Sequence, residues 1–188
     1  MKKLGFDLII LGDSTAGKDT QALIFSKKYN VRLARSGEYL RKFKPKEYVQ
    51  GGPAPTKLIL PFLNHSLKNL GNKNLIFVGA ARLKPEAQYL VKLLKKNKHD
   101  FFVIYIKLPK AEIIKRSTRR ASRLEDINLN LINGRIRYFK ELVSKTTHFY
   151  KTLNKIKFIN GKQTIKQVSS DIQNAINDYQ QSQRNRTA

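Results

Sequence analysis

The sequence predicts an α/β protein, a five-stranded parallel sheet with helices on both faces, and three observations carry that prediction. Five short apolar runs, at residues 6–11, 31–34, 74–79, 101–106 and 155–160, alternate with amphipathic segments of helical period. That order places helical crossovers between strands of one parallel sheet. The runs at 6–11 and 74–79 show no polar alternation, which suits strands buried on both faces. The first run leads straight into a glycine-bounded loop, residues 12–20, at the strand end where open α/β sheets bind ligands.

Behind the loop a helix is predicted over 22–29. After the strand at 31–34, Ser36 is the expected N-cap of a short helix over 37–42. Pro45 and Gly51-Gly52-Pro53-Ala54-Pro55 mark a loop. Thr56 then caps a helix over 57–67, with Leu58, Ile59, Phe62 and Leu63 on one face. Pro61 inside it is expected to kink the helix or delay its start. Pro85 suits the first turn of a helix over 85–96 that carries lysines on its outer face. Pro109 opens a helix to about residue 120, a long helix runs over about 126–146, and an amphipathic helix over 164–179 closes the domain. Residues 1–180 read as one domain, and the polar tail, residues 181–188, is expected to be disordered together with Gln180.

With 188 residues, 40% of them apolar, the chain is long enough for one domain with a sizeable core. It has no cysteine, which excludes disulfides and thiolate metal sites. Met1-Lys2-Lys3 before an apolar run faintly resembles a secretion signal, but Asp7 interrupts the run and the loop ends it. A cytoplasmic monomer without a membrane span is expected. His65, His99 and His148 lack metal-ligand spacing and read as surface or packing residues. Lys and Arg number 38 against 13 Asp and Glu, a formal charge of +25. Such an excess attracts phosphate-rich partners, whether nucleotides, RNA or a ribonucleoprotein, and its bland counterpart is a lysine-rich composition on solvated faces.

The loop reads Gly12-Asp13-Ser14-Thr15-Ala16-Gly17-Lys18-Asp19-Thr20. A strand, a glycine-bounded loop ending in Gly-Lys and then a helix form the setting of a phosphate-binding loop. Inward-turned amides, the positive end of the helix and the lysine charge together cradle a triphosphate. Asp19 stands where a Mg²⁺-binding hydroxyl is usual, and Thr20 supplies a hydroxyl one step later.

On these residues the chain resembles the adenylate kinase-type nucleoside monophosphate kinases, which have a three-layer P-loop NTPase fold. Gly12, Gly17, Lys18, Thr20 and Gln21 match that family's G-x-P-G-x-G-K-G-T-Q. The stretch Ala34-Arg35-Ser36-Gly37-Glu38-Tyr39-Leu40-Arg41 is similar to its S-T-G-D-x-L-R, and residues 51–56 resemble its G-x-L-V-P-D segment. Val78-Gly79-Ala80-Ala81-Arg82 stands against its D-G-F-P-R, with Glu86 in the place of a base-reading glutamine. Arg116, Arg119, Arg120 and Arg123 flank a short connection, residues 117–127, similar to the family's arginine-lined lid in its short form.

The resemblance implies phosphoryl transfer from Mg²⁺·ATP to a nucleoside monophosphate, giving diphosphates. It implies that the loop, residues Gly12 to Thr20, and Arg119 hold ATP, and that Ser36, Gly37, Arg41, Gly79, Arg82 and Glu86 hold the acceptor within about 36–70 and after the third strand. Lys18, Arg82, Arg116, Arg123 and Arg135 (or Arg137) would neutralise the transferring group. Guanidinium forks suit that task because the chemistry needs positioning and charge stabilisation rather than acid–base work. Val78 replaces the family's metal-organising aspartate. Asp19 and Thr20 are then the Mg²⁺ candidates, while Asp19 equally suits the first turn of a helix on electrostatic grounds alone. The alternative function is a catalytically weakened nucleotide-binding protein whose basic surface binds RNA or a ribonucleoprotein.

Overall fold

A computed structural model describes residues 3–43, 54–68, 73–120 and 128–187, with the backbone alone for 186 and 187. Five strands, β1 (Asp7–Gly12), β2 (Arg32–Arg35), β3 (Leu75–Val78), β4 (Phe101–Lys107) and β5 (Ile156–Asn160), form one parallel sheet in the order β2-β3-β1-β4-β5. Leu8 pairs with Ile76 on one side of β1 and with Phe102 on the other. The helices are α1 (Lys18–Tyr29), α2 (Ser36–Phe43), α3 (Thr56–Leu67), α4 (Lys84–Lys96), α5 (Lys110–Arg120), α6 (Leu129–Tyr138), α7 (Ser144–Thr152) and α8 (Ile165–Thr187). A π-helical turn, Phe139–Val143, joins α6 to α7.

The unalternating strand sequences do what their pattern requires. Leu8, Ile9 and Ile10 are all fully buried. Successive side chains point to opposite faces, so Leu8 and Ile10 enter the core with α1 and α8. Ile9 and Leu11 enter the other core with α3, α4 and α7. Truncating any one of the three to Ala is expected to cost about 2–5 kcal/mol. Asp7, which breaks the apolar run, is also fully buried: its carboxylate accepts the Leu75 amide at 2.6 Å and meets His99 Nδ1 at 2.8 Å. His99 is thus a packing residue with a polar task at the sheet end away from the loop.

Several local expectations are corrected. α1 begins at Lys18 and not at residue 22, because Gly17, at φ 82, turns the chain directly into the helix. Ser36 and Thr56 are first helical residues rather than caps. Their hydroxyls donate across the fold instead, Ser36 to the Gly79 carbonyl at 3.0 Å and Thr56 to Glu86 Oε1 at 3.1 Å. Pro61 lies inside α3, and the helix starts at Thr56 all the same. The long helix runs later than expected, and Asn128 caps it by accepting the amides of Asn130 and Leu131. The tail from Gln180 continues α8 to Thr187, and Gln180 donates back to the Leu4 carbonyl at 2.9 Å. Pro45 and residues 51–53 fall outside the described residues.

Candidate functional site

At the C-terminal end of β1 the loop surrounds a cleft of about 350 Å³, lined by Ser14, Thr15, Ala16, Gly17, Lys18, Asp19 and Thr20. Amides at the α1 N-terminus have no intrahelical acceptor and carry the positive end of the helix, so an anion is favoured there. Thr15 holds the left-handed conformation at φ 57, a strained geometry of the kind that collects at ligand sites. Lys18 is folded back, its Nζ donating to the Gly12 carbonyl at 2.8 Å and the Asp13 carbonyl at 2.6 Å. Burial of the ammonium, and next the Arg82 guanidinium beside it, lower its pKa from 10.5 to about 7.

The Asp13 side chain braces the loop. Its carboxylate accepts the Tyr105 hydroxyl at 2.8 Å and the Leu108 amide at 2.7 Å, which ties the loop to the end of β4. Burial, followed by the Asp13 charge, pushes the Tyr105 phenol well above its usual range, so it stays a donor.

Arg82 faces both the loop cleft and a smaller cavity of about 40 Å³ that contains Ser36, Gly37, Gly79, Glu86 and Tyr138. Its Nε donates to the Gly79 carbonyl at 2.7 Å, and its guanidinium lies 5.7 Å from the Phe139 ring centroid. Lys18 Nζ lies 5.8 Å from the same ring. Both cations therefore lie within cation–π reach of the Phe139 ring. Burial raises the Glu86 pKa and pushes the Tyr138 phenol up to about 12. Both Glu86 oxygens are engaged, Oε1 by Thr56 and Oε2 by the Leu83 amide at 3.2 Å, so in this state Glu86 also closes the start of α4. Arg41 is exposed, but a Cβ added to Gly37 would stand 3.3 Å from its Nη1, which sets the guanidinium beside the small cavity.

Of the expected arginines, Arg116 and Arg135 line the loop cleft. Arg116 is held by Glu112 at 2.6 Å and by the Gly161 carbonyl at 3.0 Å. Arg119 is exposed and does not line the cleft. Arg120, one turn beyond Arg116 on the same helical face, does. Arg137 is exposed and likewise absent from the lining. Arg123 and most of the expected lid lie outside the described residues.

A hard cation takes oxygen donors. Val78 is buried and apolar, and the Asp13 carboxylate is engaged, whereas Asp19 and Thr20 present oxygens at the cleft. Asp19 is 77% exposed and lies 4.0 Å from Arg35. These donors fit a cation held largely by phosphates and water. Among the described residues, no group of three or more His, Asp or Glu forms a metal cluster.

Sequence reasoning named Arg120 among the lid arginines but missed Phe139, Tyr105 and Tyr138. The aromatics carry no motif, and only the π-turn brings Phe139 onto the cleft.

Residues 11–133 match the family model described as "AAA domain", a P-loop unit. An adenylate kinase of Prochlorococcus marinus (strain NATL2A) is 30% identical over 180 residues, which cover 90% of this chain and 97% of that protein. The adenylate kinase of Azobacteroides pseudotrichonymphae is 29% identical over 87% of this chain and 93% of its own. That of Parabacteroides distasonis is 28% identical over 92% of this chain and 98% of its own. With the parallel sheet, the loop at the end of β1 and relatives matched over nearly their whole length, the chain belongs to the adenylate kinase-type family of P-loop nucleoside monophosphate kinases.

Proposed function

We propose that the protein transfers the terminal phosphoryl group of Mg²⁺·ATP to a nucleoside monophosphate. One observation carries the reading: Arg82 lines both the loop cleft and the cavity formed by Ser36, Gly37, Gly79 and Glu86. A cation shared by two cavities is suited to the group that passes between them. In this scheme the loop amides and Lys18 hold the donor phosphates. Arg41 and Arg82 hold the acceptor phosphate, and Arg116, Arg120, Arg123 and Arg135 offset charge on the transferring group. Mg²⁺, carried by ATP, supplies charge neutralisation across the phosphates when bound, and Asp19 and Thr20 orient its water shell. Lys18 leaves its two carbonyl partners to reach the phosphates, so binding exchanges internal hydrogen bonds for charge-assisted ones.

Glu86, acceptor-only when ionised, favours a base that presents N–H donors. The same family's relatives are adenylate kinases, so AMP heads the acceptors to be tried. A coupled assay of ATP against the ribo- and deoxynucleoside monophosphates tests the reading. Turnover with at least one acceptor is expected, falling by roughly a hundredfold or more in Lys18→Ala. Failure with every acceptor would overturn it. The alternative, an RNA-binding protein, rests on the net charge alone.

A further inference from the structure

On the far side of the Ser14–Phe139 wall lies a second, larger cavity of about 440 Å³, a size ordinary for small-molecule sites. Its apolar floor includes Leu108, Ile113 and Phe139, all buried. Around that floor stand four exposed lysines, Lys107 at the end of β4, Lys110 in the first turn of α5, Lys140 in the π-turn and Lys151 in α7. Lys107 and Lys151 lie 5.5 and 5.0 Å from the Phe158 ring centroid, so one ring steadies two of the cations at the same cavity.

Four like charges around one cavity repel each other, and carboxylates ordinarily answer them. Here they do not: none of the four pairs with a carboxylate among the described residues. The one acid in the lining, Asp13, has its oxygens engaged by Tyr105 and Leu108. A second feature lies in the wall that this cavity shares with the loop cleft. Ser14 lines this cavity, is only 6% exposed, and its Oγ has no hydrogen-bond partner. A buried hydroxyl without a partner costs about 1–3 kcal/mol unless a ligand or water supplies one.

We infer that this cavity is a second anion site, for a compact ligand bearing two or more phosphate groups, separate from the loop cleft. Lysines bind phosphate as mobile point charges, whereas the Ser144 and Thr147 hydroxyls beside them already donate to the Glu141 and Ser144 carbonyls, at 3.1 and 2.9 Å. The walls favour a compact polyphosphate over an extended strand, which needs a continuous groove. Because Ser14 and Phe139 line both cavities, a ligand here touches the wall on which Lys18 and Arg82 rest.

The test is calorimetric titration of tripolyphosphate into the full chain with the loop cleft saturated by a non-hydrolysable ATP analogue. One-to-one binding is expected. It should weaken roughly tenfold or more in Lys107→Gln/Lys151→Gln, while Lys27→Gln/Lys28→Gln, with the same loss of charge on α1, keeps the wild-type affinity. Lys18→Ala, titrated without the analogue, should retain this site, and circular dichroism confirms that each variant is folded. Equal weakening in both lysine pairs would reduce the site to general attraction by the net charge and overturn it. Loss of binding in Lys18→Ala, or none beside the analogue, would assign the ligand to the loop cleft and overturn it as well. None of these readings depends on turnover.

Discussion

Arg82 donates from Nε to the Gly79 carbonyl at 2.7 Å, and that bond holds its guanidinium at the boundary of the two cavities. Gly79 makes the geometry available. It sits at φ +64, and a Cβ there would stand 2.6 Å from Arg82 Nη2. Gly79→Ala is therefore expected to cost about 1 kcal/mol of stability for the backbone alone. The larger effect falls on catalysis: the arginine head must move, and turnover should drop roughly tenfold to a hundredfold. Urea unfolding and the coupled assay together check this, and wild-type turnover in Gly79→Ala would separate Arg82 from the chemistry.

Lys18 gives a pH prediction. Its folded pKa, about 7, lies below the ordinary 10.5, so between those values the unfolded chain binds more protons. Stability should accordingly rise with pH across that window, and Lys18→Met should lose that part of the rise. A polyphosphate in the loop cleft favours the charged amine. Binding of an ATP analogue at about pH 8 should then take up protons, seen as an enthalpy that depends on the buffer's heat of ionisation. An enthalpy independent of buffer would contradict the buried, largely neutral amine.

Glu86 titrates in the opposite sense. Burial raises its folded pKa above 4.5, so the folded chain binds more protons just above that value and stability falls as pH rises through the window. Glu86→Gln removes this loss and retains an acceptor for Thr56 or for the Leu83 amide. Glu86→Ala strands both and is expected to cost about 2–4 kcal/mol. Chemical denaturation across the acid range distinguishes the two variants. If the two lose the same stability, Glu86 contributes no hydrogen bond that matters.

Asp19 provides a test of how a Mg²⁺ ion would be held. If its carboxylate orients the metal's water shell, Asp19→Ala should raise the Mg²⁺ concentration for half-maximal turnover by roughly tenfold. If the residue acts only on the helix end, the same variant should lose about 0.3–1 kcal/mol of stability with an unchanged Mg²⁺ requirement.

The parts of the fold that follow from local chemistry were legible in the chain. The strands announced themselves through runs such as Leu75-Ile76-Phe77-Val78, and the loop through its glycines and Lys18. Gly79 and Arg82 were readable through the resemblance, as the Gly and Arg of a stretch set against the family's D-G-F-P-R. What failed to show depends on tertiary placement. Ser36 and Thr56 look like caps in sequence, yet the fold offers their hydroxyls better partners, the Gly79 carbonyl and Glu86. Phe139 reads as one more apolar residue of a long helix, yet in the fold it lies in the π-turn with its ring near both Lys18 and Arg82. Arg119 and Arg120 are neighbours with equal motif value, and only the helix's rotation against the cleft separates them. Asp7 carried a signal, a carboxylate inside a strand buried on both faces, that points to the buried partner found in His99.

The central claim, that two nucleotides meet across Arg82, is tested most directly by following label from γ-³²P-ATP. The account predicts label in a nucleoside diphosphate formed from an added monophosphate, reduced by roughly a hundredfold or more in Arg82→Met while binding of the ATP analogue persists. Transfer that is undiminished in Arg82→Met, or label released only as inorganic phosphate with every acceptor, would contradict it.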